Sequence, residues 1–206
     1  MPRSGPSTDP GDPQVRGDRR RAPRPLDPAR LNELALAYVA RFATSAAKLE
    51  RYLVRKLRER GWEGETPPDV AAIVSRHTEL GYVDDAAFAR AKTGGLLRRG
   101  YGPRRVRQAL GEAGIDEAVR EDVAPGPAAR RHAALALARK RGFGPFARSP
   151  APRSPDSRAE WPKLREKQIA AMLRAGHMLE DARELVDAPS EDAATRWAAE
   201  CDDDEA

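Results

Sequence analysis

Apolar side chains between residues 31 and 81 recur every three or four positions. Leu31, Leu34, Leu36, Tyr38, Val39 and Phe42 predict a helix that ends near Thr44-Ser45. A second helix is expected over about 46–60, with Leu49, Tyr52, Leu53 and Leu57 on one face and Lys48, Arg51, Arg55 and Arg58 on another, before Gly61 supplies a stop. A third follows Thr66-Pro67-Pro68-Asp69, where Thr66 can cap, Pro67 suits the first helical position and Asp69 faces the positive end of the helix dipole. Its buried stripe is Val70, Ile73, Val74, His77 and Leu80, so His77 reads as a packing residue rather than a ligand. Gly81 closes the trio.

The same order then returns twice. Asp84-Asp85 starts a helix through Phe88, Ala91 and Leu97; Gly102-Pro103 starts one through Val106, Ala109 and Leu110; Asp116 starts a short one through Val119. In the third trio Gly126-Pro127 precedes a helix with Leu135 and Leu137, Pro162 opens a middle helix with Leu164, Ile169, Met172 and Leu173, and Met178 to Val186 forms the last. Gly61, Gly114 and Gly176 fall in register after each middle helix, preceded four residues earlier by Leu57, Leu110 and Met172. This is a divergent repeat. The expected organisation is a disordered Pro/Arg-rich head at 1–28, modules at 29–81, 82–125 and 126–188, a proline-rich flexible insertion at 143–160 with Trp161 at its exit, and an acidic tail at 189–206.

Composition narrows the class. What remains of the 206 residues outside head, insertion and tail suits one globular domain or several small helical modules. With 37 alanines, 31 arginines and few β-branched residues, helices are favoured over strands and the core is thin. The net charge of +5 conceals an acidic segment at 179–206, which carries eleven acids against two arginines, so the remainder is strongly basic. Such a body seeks a polyanion or an acidic protein surface, in a salt-dependent way. The lone cysteine, Cys201, lies among aspartates that disfavour its thiolate, and no apolar run suggests a leader or a membrane span. A reducing cytoplasm, no membrane and a monomeric chain are the expectations.

Catalytic chemistry is not in evidence. The three histidines are scattered, no metal-ligand spacing occurs, and neither a dinucleotide loop nor a triphosphate-binding loop is present, so no catalytic residue, metal or cofactor is expected. Two stretches stand out instead. Ala86 to Gly111 carries Arg90, Lys92, Arg98, Arg99, Arg104, Arg105 and Arg107 without an acid, and Val123 to Pro155 adds Arg130, Arg131, Arg139, Lys140, Arg141, Arg148 and Arg153. A DNA-reading helix-turn-helix around Leu110 and Gly114 fails on charge, because the following helix, Asp116 to Asp122, carries a net −3 and would be pushed between phosphates. Each module has one basic and one acidic edge, which suits a mixed-charge protein surface that itself carries nucleic acid.

Leu80-Gly81-Tyr82-Val83-Asp84-Asp85-Ala86-Ala87-Phe88-Ala89-Arg90, followed by Leu97-Arg98-Arg99-Gly100-Tyr101-Gly102-Pro103-Arg104-Arg105-Val106-Arg107-Gln108-Ala109-Leu110, resembles the RecX family of regulatory proteins, and the likeness extends more loosely over about 31–188. It implies an all-α, elongated and curved array of tandem three-helix repeats. It further implies a negative regulator that binds in the groove of a RecA filament on single-stranded DNA and limits filament growth, strand exchange, ATP hydrolysis and coprotease activity, with direct contact to single-stranded DNA as a further option. The basic corner around Gly100-Tyr101-Gly102-Pro103 makes Arg98, Arg99, Arg104, Arg105 and Arg107 the first candidates for that contact, followed by Arg90, by Lys48, Arg51, Arg55 and Arg58, and by Arg139, Lys140 and Arg141. The alternative is a non-sequence-specific helical DNA-binding protein. Gly94-Gly95 inside the module 2 helix costs about 0.8–1 kcal/mol per glycine relative to alanine, and marks a point where that helix can bend.

Overall fold

Helix starts coincide with side chains able to accept from free first-turn amides. Asp27 caps α1 (Pro28–Arg41), Ser45 caps α2 (Ala46–Arg60), Asp69 caps α3 (Val70–Glu79), Asp84 caps α4 (Asp85–Arg98) and Asp116 caps α6 (Glu117–Asp122). Before α5 (Pro103–Glu112) and α7 (Pro127–Arg141), which no side chain caps, a Gly-Pro pair takes the cap's place, because proline has no amide to satisfy and its φ already suits a helix. A 3-10 turn (Gly144–Phe146), α8 (Pro155–Arg174), α9 (Leu179–Asp187) and α10 (Glu191–Ala199) complete the chain. This computed structural model describes residues 24–147 and 155–200, with side chains from 161 in the second range. Among them there is no strand, only an isolated parallel bridge between Leu26 and Trp62.

Three apolar clusters hold the helices together. Leu31, Ala35, Leu49, Leu53 and Val83 centre the first; Ala89, Leu96, Val106, Leu110, Ala113 and Ile115 the second; Leu135, Ala138, Ile169, Met172, Leu185 and Val186 the third. Alanine fills many of the positions in the second and third clusters, so those helices approach closely and bury little area per residue.

The clusters are linked by a joint that occurs twice. The C-terminal end of α5 abuts the N-terminal end of α2: Ser45 Oγ donates to the Ala113 carbonyl at 2.6 Å, and a Cβ on Gly114 would lie 2.3 Å from the Cβ of Ala47. Likewise α8 ends on the start of α5, where the Gly102 amide donates to the Ala175 carbonyl at 2.9 Å and a Cβ on Gly176 would lie 2.5 Å from the Arg105 nitrogen. Each joint sets the negative end of one helix dipole against the positive end of another. Gly114 and Gly176 thus do more than stop helices, for at positive φ they let one element touch the next.

The structure departs from the sequence expectations at the margins. Leu26, within the segment expected to be a disordered head, is fully buried, and its amide and carbonyl pair with Gly61 and Glu63. One leucine among prolines escapes a composition argument, yet it covers the end of α2 that has no preceding module. The insertion is shorter than expected, because Gly144 is buried against α9 and α8 already begins at Pro155, so that Pro162 sits inside a helix rather than opening one. Pro155 supplies the same fixed φ seven residues earlier. Residues 189–200 are not wholly tail, since α10 buries Ala194 and Ala198 against α7 and the helices number ten instead of nine among the described residues. Asp69, not Thr66, caps α3, and α4 runs unbroken through Gly94 and Gly95, with the neighbouring Thr93 and Leu96 buried. Residues 1–23, 148–154 and 201–206, the rest of head, insertion and tail, lie outside the described residues, and Cys201, Arg148 and Arg153 with them.

Candidate functional site

The candidate arginines and lysines fall into four structural situations. Lys48 and Arg51 brace the joint between the first two clusters: the Lys48 ammonium lies 5.0 Å from the centre of the Phe88 ring, and the Arg51 guanidinium donates to the Glu112 carbonyl at 3.1 Å. Arg55 pairs with Glu59 on the surface of α2, and Arg58 is exposed nearby on the same helix. Arg139, Lys140 and Arg141 occupy the last turn of α7, where they favour its negative dipole end, and Arg139 also donates to Thr195 of α10.

The second module carries the densest group. Arg90, Arg98, Arg99, Arg104, Arg105 and Arg107 are all exposed. Their corner is not the free link that the spacing of two glycines suggests. Gly100 and Gly102 are buried in the joint with the third cluster, where a Cβ at Gly100 would meet the Leu137 backbone at 2.9 Å, and the Arg104 amide donates to the Gly176 carbonyl at 3.1 Å. The side chains then diverge. Arg99 leans toward Tyr101, Arg105 donates to Gln108 at 2.8 Å, and Arg104 and Arg107, one turn apart, both turn toward a groove.

That groove, about 340 Å³, runs between α5, α6 and the start of α7. Val106, Leu110, Ala124, Pro125 and Met178 give it an apolar floor, and Arg104, Arg107, Arg120 and Arg130 surround it. Glu117 lines it too, but is held by Arg107 and by Arg120. Sequence reasoning passes over Arg120 because it sits in the acidic helix, and ranks Arg130 with a general basic stretch; only the meeting of α5, α6 and α7 brings them beside Arg104.

Beneath the same joint lies a buried polar pair. His177 is fully buried, with Nε2 2.9 Å from the Gly100 carbonyl oxygen and Nδ1 without a partner among the described residues. Burial pushes its pKa down, against the pull of the Gly100 carbonyl and of Asp181. Burial pushes the Asp181 carboxyl up, opposed by Arg130 and reinforced by Glu180. His177 faces the joint, whereas Asp181 lines a separate cleft with Arg130, Arg131, Glu180 and Trp197. Among the described residues no group of acids, histidines and cysteines is placed to hold a metal ion, and no helix is long and apolar enough to cross a membrane.

Comparison with known proteins gives a consistent outcome. The family profile described as "RecX, second three-helix domain" matches residues 84–123. The regulatory protein RecX of Myxococcus xanthus is 31% identical over 180 residues, covering 84% of this chain and 91% of that protein. A regulatory protein RecX of Thermus thermophilus is 39% identical over 106 residues, covering 52% and 70%. In architecture the chain is similar to the crystal structure of RecX from Lactobacillus salivarius, with a TM-score of 0.56 at 16% identity over 75% of this chain and 90% of the other. A second structure, of a regulatory protein RecX, gives 0.55 at 20% identity over 77% and 70%. These two likenesses establish the all-helical fold.

Proposed function

Because the chain belongs to the RecX family of regulatory proteins, we propose that it is a negative regulator of a RecA recombinase, which acts by lying in the groove of the RecA filament on single-stranded DNA. It works by contact and without an active site of its own, and it limits filament growth, strand exchange, ATP hydrolysis by the recombinase and coprotease activity. The observation that carries this reading is the preordering of the arginine-bearing corner. Two backbone bonds to the third cluster, from the Gly102 and Arg104 amides, fix the start of α5, so Arg98, Arg99, Arg104, Arg105 and Arg107 meet a partner with little backbone ordering cost. Arginine pairs bidentately with carboxylate or phosphate, so the corner suits a surface that offers both. Glu117 and Glu121 beside it are unfavourable to phosphates packed on both sides, which weighs against simple duplex binding.

The test is ATP hydrolysis and filament disassembly with purified RecA, single-stranded DNA and this protein. Inhibition of RecA turnover is expected, with no turnover by this chain alone. If its affinity for bare single-stranded DNA at near-physiological salt equals its affinity for assembled filaments, the protein is a non-sequence-specific DNA binder and the regulatory reading is lost.

A further inference from the structure

The groove between α5, α6 and α7 differs in chemistry from the rest of the basic surface. Its floor is apolar, and its polar rim carries four guanidinium groups against two carboxylates, those of Glu117 and Glu121. At about 340 Å³ it lies at the small end of ligand-sized pockets. Arg104 has no carboxylate partner among the described residues. The Nε atoms of Arg120 and Arg130 are buried without a hydrogen-bond acceptor. Both nitrogens are sealed from solvent, so a ligand in the groove meets only the outer edges of these guanidinium groups, and Met178 brings a pliable side chain that adapts to varied shapes.

We propose that this groove is a docking site for a short acidic peptide segment of a partner protein, in which one or two aliphatic side chains enter the apolar floor while flanking carboxylates pair with Arg104, Arg107, Arg120 and Arg130. Carboxylates complement the positive charge of the rim, that of Arg104 above all, and the aliphatic side chains replace water over Val106, Leu110 and Met178. Nucleic acid fits less well. Among the described residues no aromatic ring lines the groove to stack on a base. The inference deepens the reading above, since it names the protein side of the contact and leaves the DNA side to the other exposed arginines.

The experiment uses the whole protein without recombinase, so its outcome is independent of the filament assay. The probe is a fluorescein-labelled hexapeptide of two leucines and four acidic residues, followed by fluorescence anisotropy. Its controls are the same peptide with serines for leucines and a short oligothymidylate. Ala124→Trp fills the groove from an exposed position without changing charge, and Arg104→Glu reverses one rim charge. Binding of the leucine peptide is expected, with about tenfold weakening in each variant and for the serine peptide. Circular dichroism checks that the variants stay folded; should Ala124→Trp unfold, Arg104→Glu decides alone. No binding by the unaltered protein, equal binding of the serine peptide, equal binding of oligothymidylate, or unchanged binding by a folded variant would each overturn the assignment. Peptide binding in a protein that fails to inhibit RecA would keep the groove and remove the recombinase as its partner.

Discussion

His177 Nε2 lies 2.9 Å from the carbonyl oxygen of Gly100, which joins the third helical cluster to the buried link between α4 and α5. A carbonyl accepts, so Nε2 carries the proton and Nδ1 is the bare nitrogen, buried and unpartnered. The neutral ring is thus the form this joint holds. Protonation would add an N–H where no acceptor waits.

The pH dependence follows from that geometry. The folded-state pKa of His177 is depressed below its ordinary 6.5 by burial, so the unfolded chain binds more protons just below pH 6.5. Its contribution to stability is full above pH 6.5 and is lost as the pH falls through the window beneath. Asp181 has the opposite sign, because its raised pKa favours the fold at low pH and this contribution declines as pH rises above 3.8. Urea unfolding at intervals from pH 7.5 to about 5 should show falling stability, and His177→Gln should flatten that slope. An unchanged slope would assign the titration to other groups.

The repeated glycines should not be equivalent. Gly61 and Gly114 both have positive φ, 80° and 75°, but a Cβ at Gly61 meets nothing within 4 Å whereas at Gly114 it lies 2.3 Å from Ala47. Gly61, at φ 80° and ψ 176°, lies in a region that is essentially glycine's alone, so Gly61→Ala should cost about 1–3 kcal/mol from backbone conformation. Gly114→Ala should add about 1–3 kcal/mol of overpacking, and more if the joint cannot slide. Thermal unfolding of the two variants compares them directly, and equal losses would mean that the joint yields freely.

Helix α10 should behave as part of the third cluster. Trp197 packs against that cluster with the Arg131 guanidinium 4.9 Å from its ring centre, and Arg131 also donates to the Trp197 carbonyl at 2.8 Å. Because the ring is partly exposed, Trp197→Ala should cost about 2–3 kcal/mol, less than the roughly 3–5 kcal/mol of a fully buried tryptophan. A chemical-denaturation difference below about 0.5 kcal/mol, the range of surface substitutions, would return this helix to the tail.

Replacing Arg104 and Arg105 together with alanine should weaken inhibition of RecA filaments by about 1–3 kcal/mol in total. Helicity and melting should hardly change, since the joint uses the Arg104 amide and not its side chain. Normal inhibition by this variant, with inhibition abolished on changing Arg55 and Arg58, would move the contact to the first module. If phosphates are the arginines' targets, the log–log salt dependence should flatten by roughly 0.7 for each phosphate left unpaired on single strands. Weakened inhibition with an unchanged slope points to acidic side chains instead.

Much of the helical pattern is legible in the sequence because it is local. Asp84, Asp116 and the Gly102-Pro103 and Gly126-Pro127 pairs mark helix starts through interactions that span three or four residues, and α2, α4, α5, α6, α7 and α9 begin within a residue or so of where these signals put them. The margins mislead for a related reason. A composition average over 1–28 dilutes Leu26, and the acidity of 189–206 hides the alanine stripe Ala194 and Ala198, which needs no large apolar residue once α7 comes close. Pro162 suggests a helix start because proline breaks helices more often than it lies within them.

Periodicity, capping residues, charge and a specific motif are each carried by neighbouring positions, and they suffice for an all-helical repeat, a basic body with an acidic C-terminal segment, and the family. What the charges face is a matter of packing. The meeting of helix ends turns Lys48 and Arg51 into braces, sets Gly102 and Gly114 into joints, and gathers Arg104, Arg107, Arg120 and Arg130 around one apolar groove. The reason is geometric. Whether an arginine ends beside a carbonyl, a carboxylate or open solvent depends on how one helix end meets another that is distant in the chain, as Arg51 meets Glu112, and no local pattern encodes that distance.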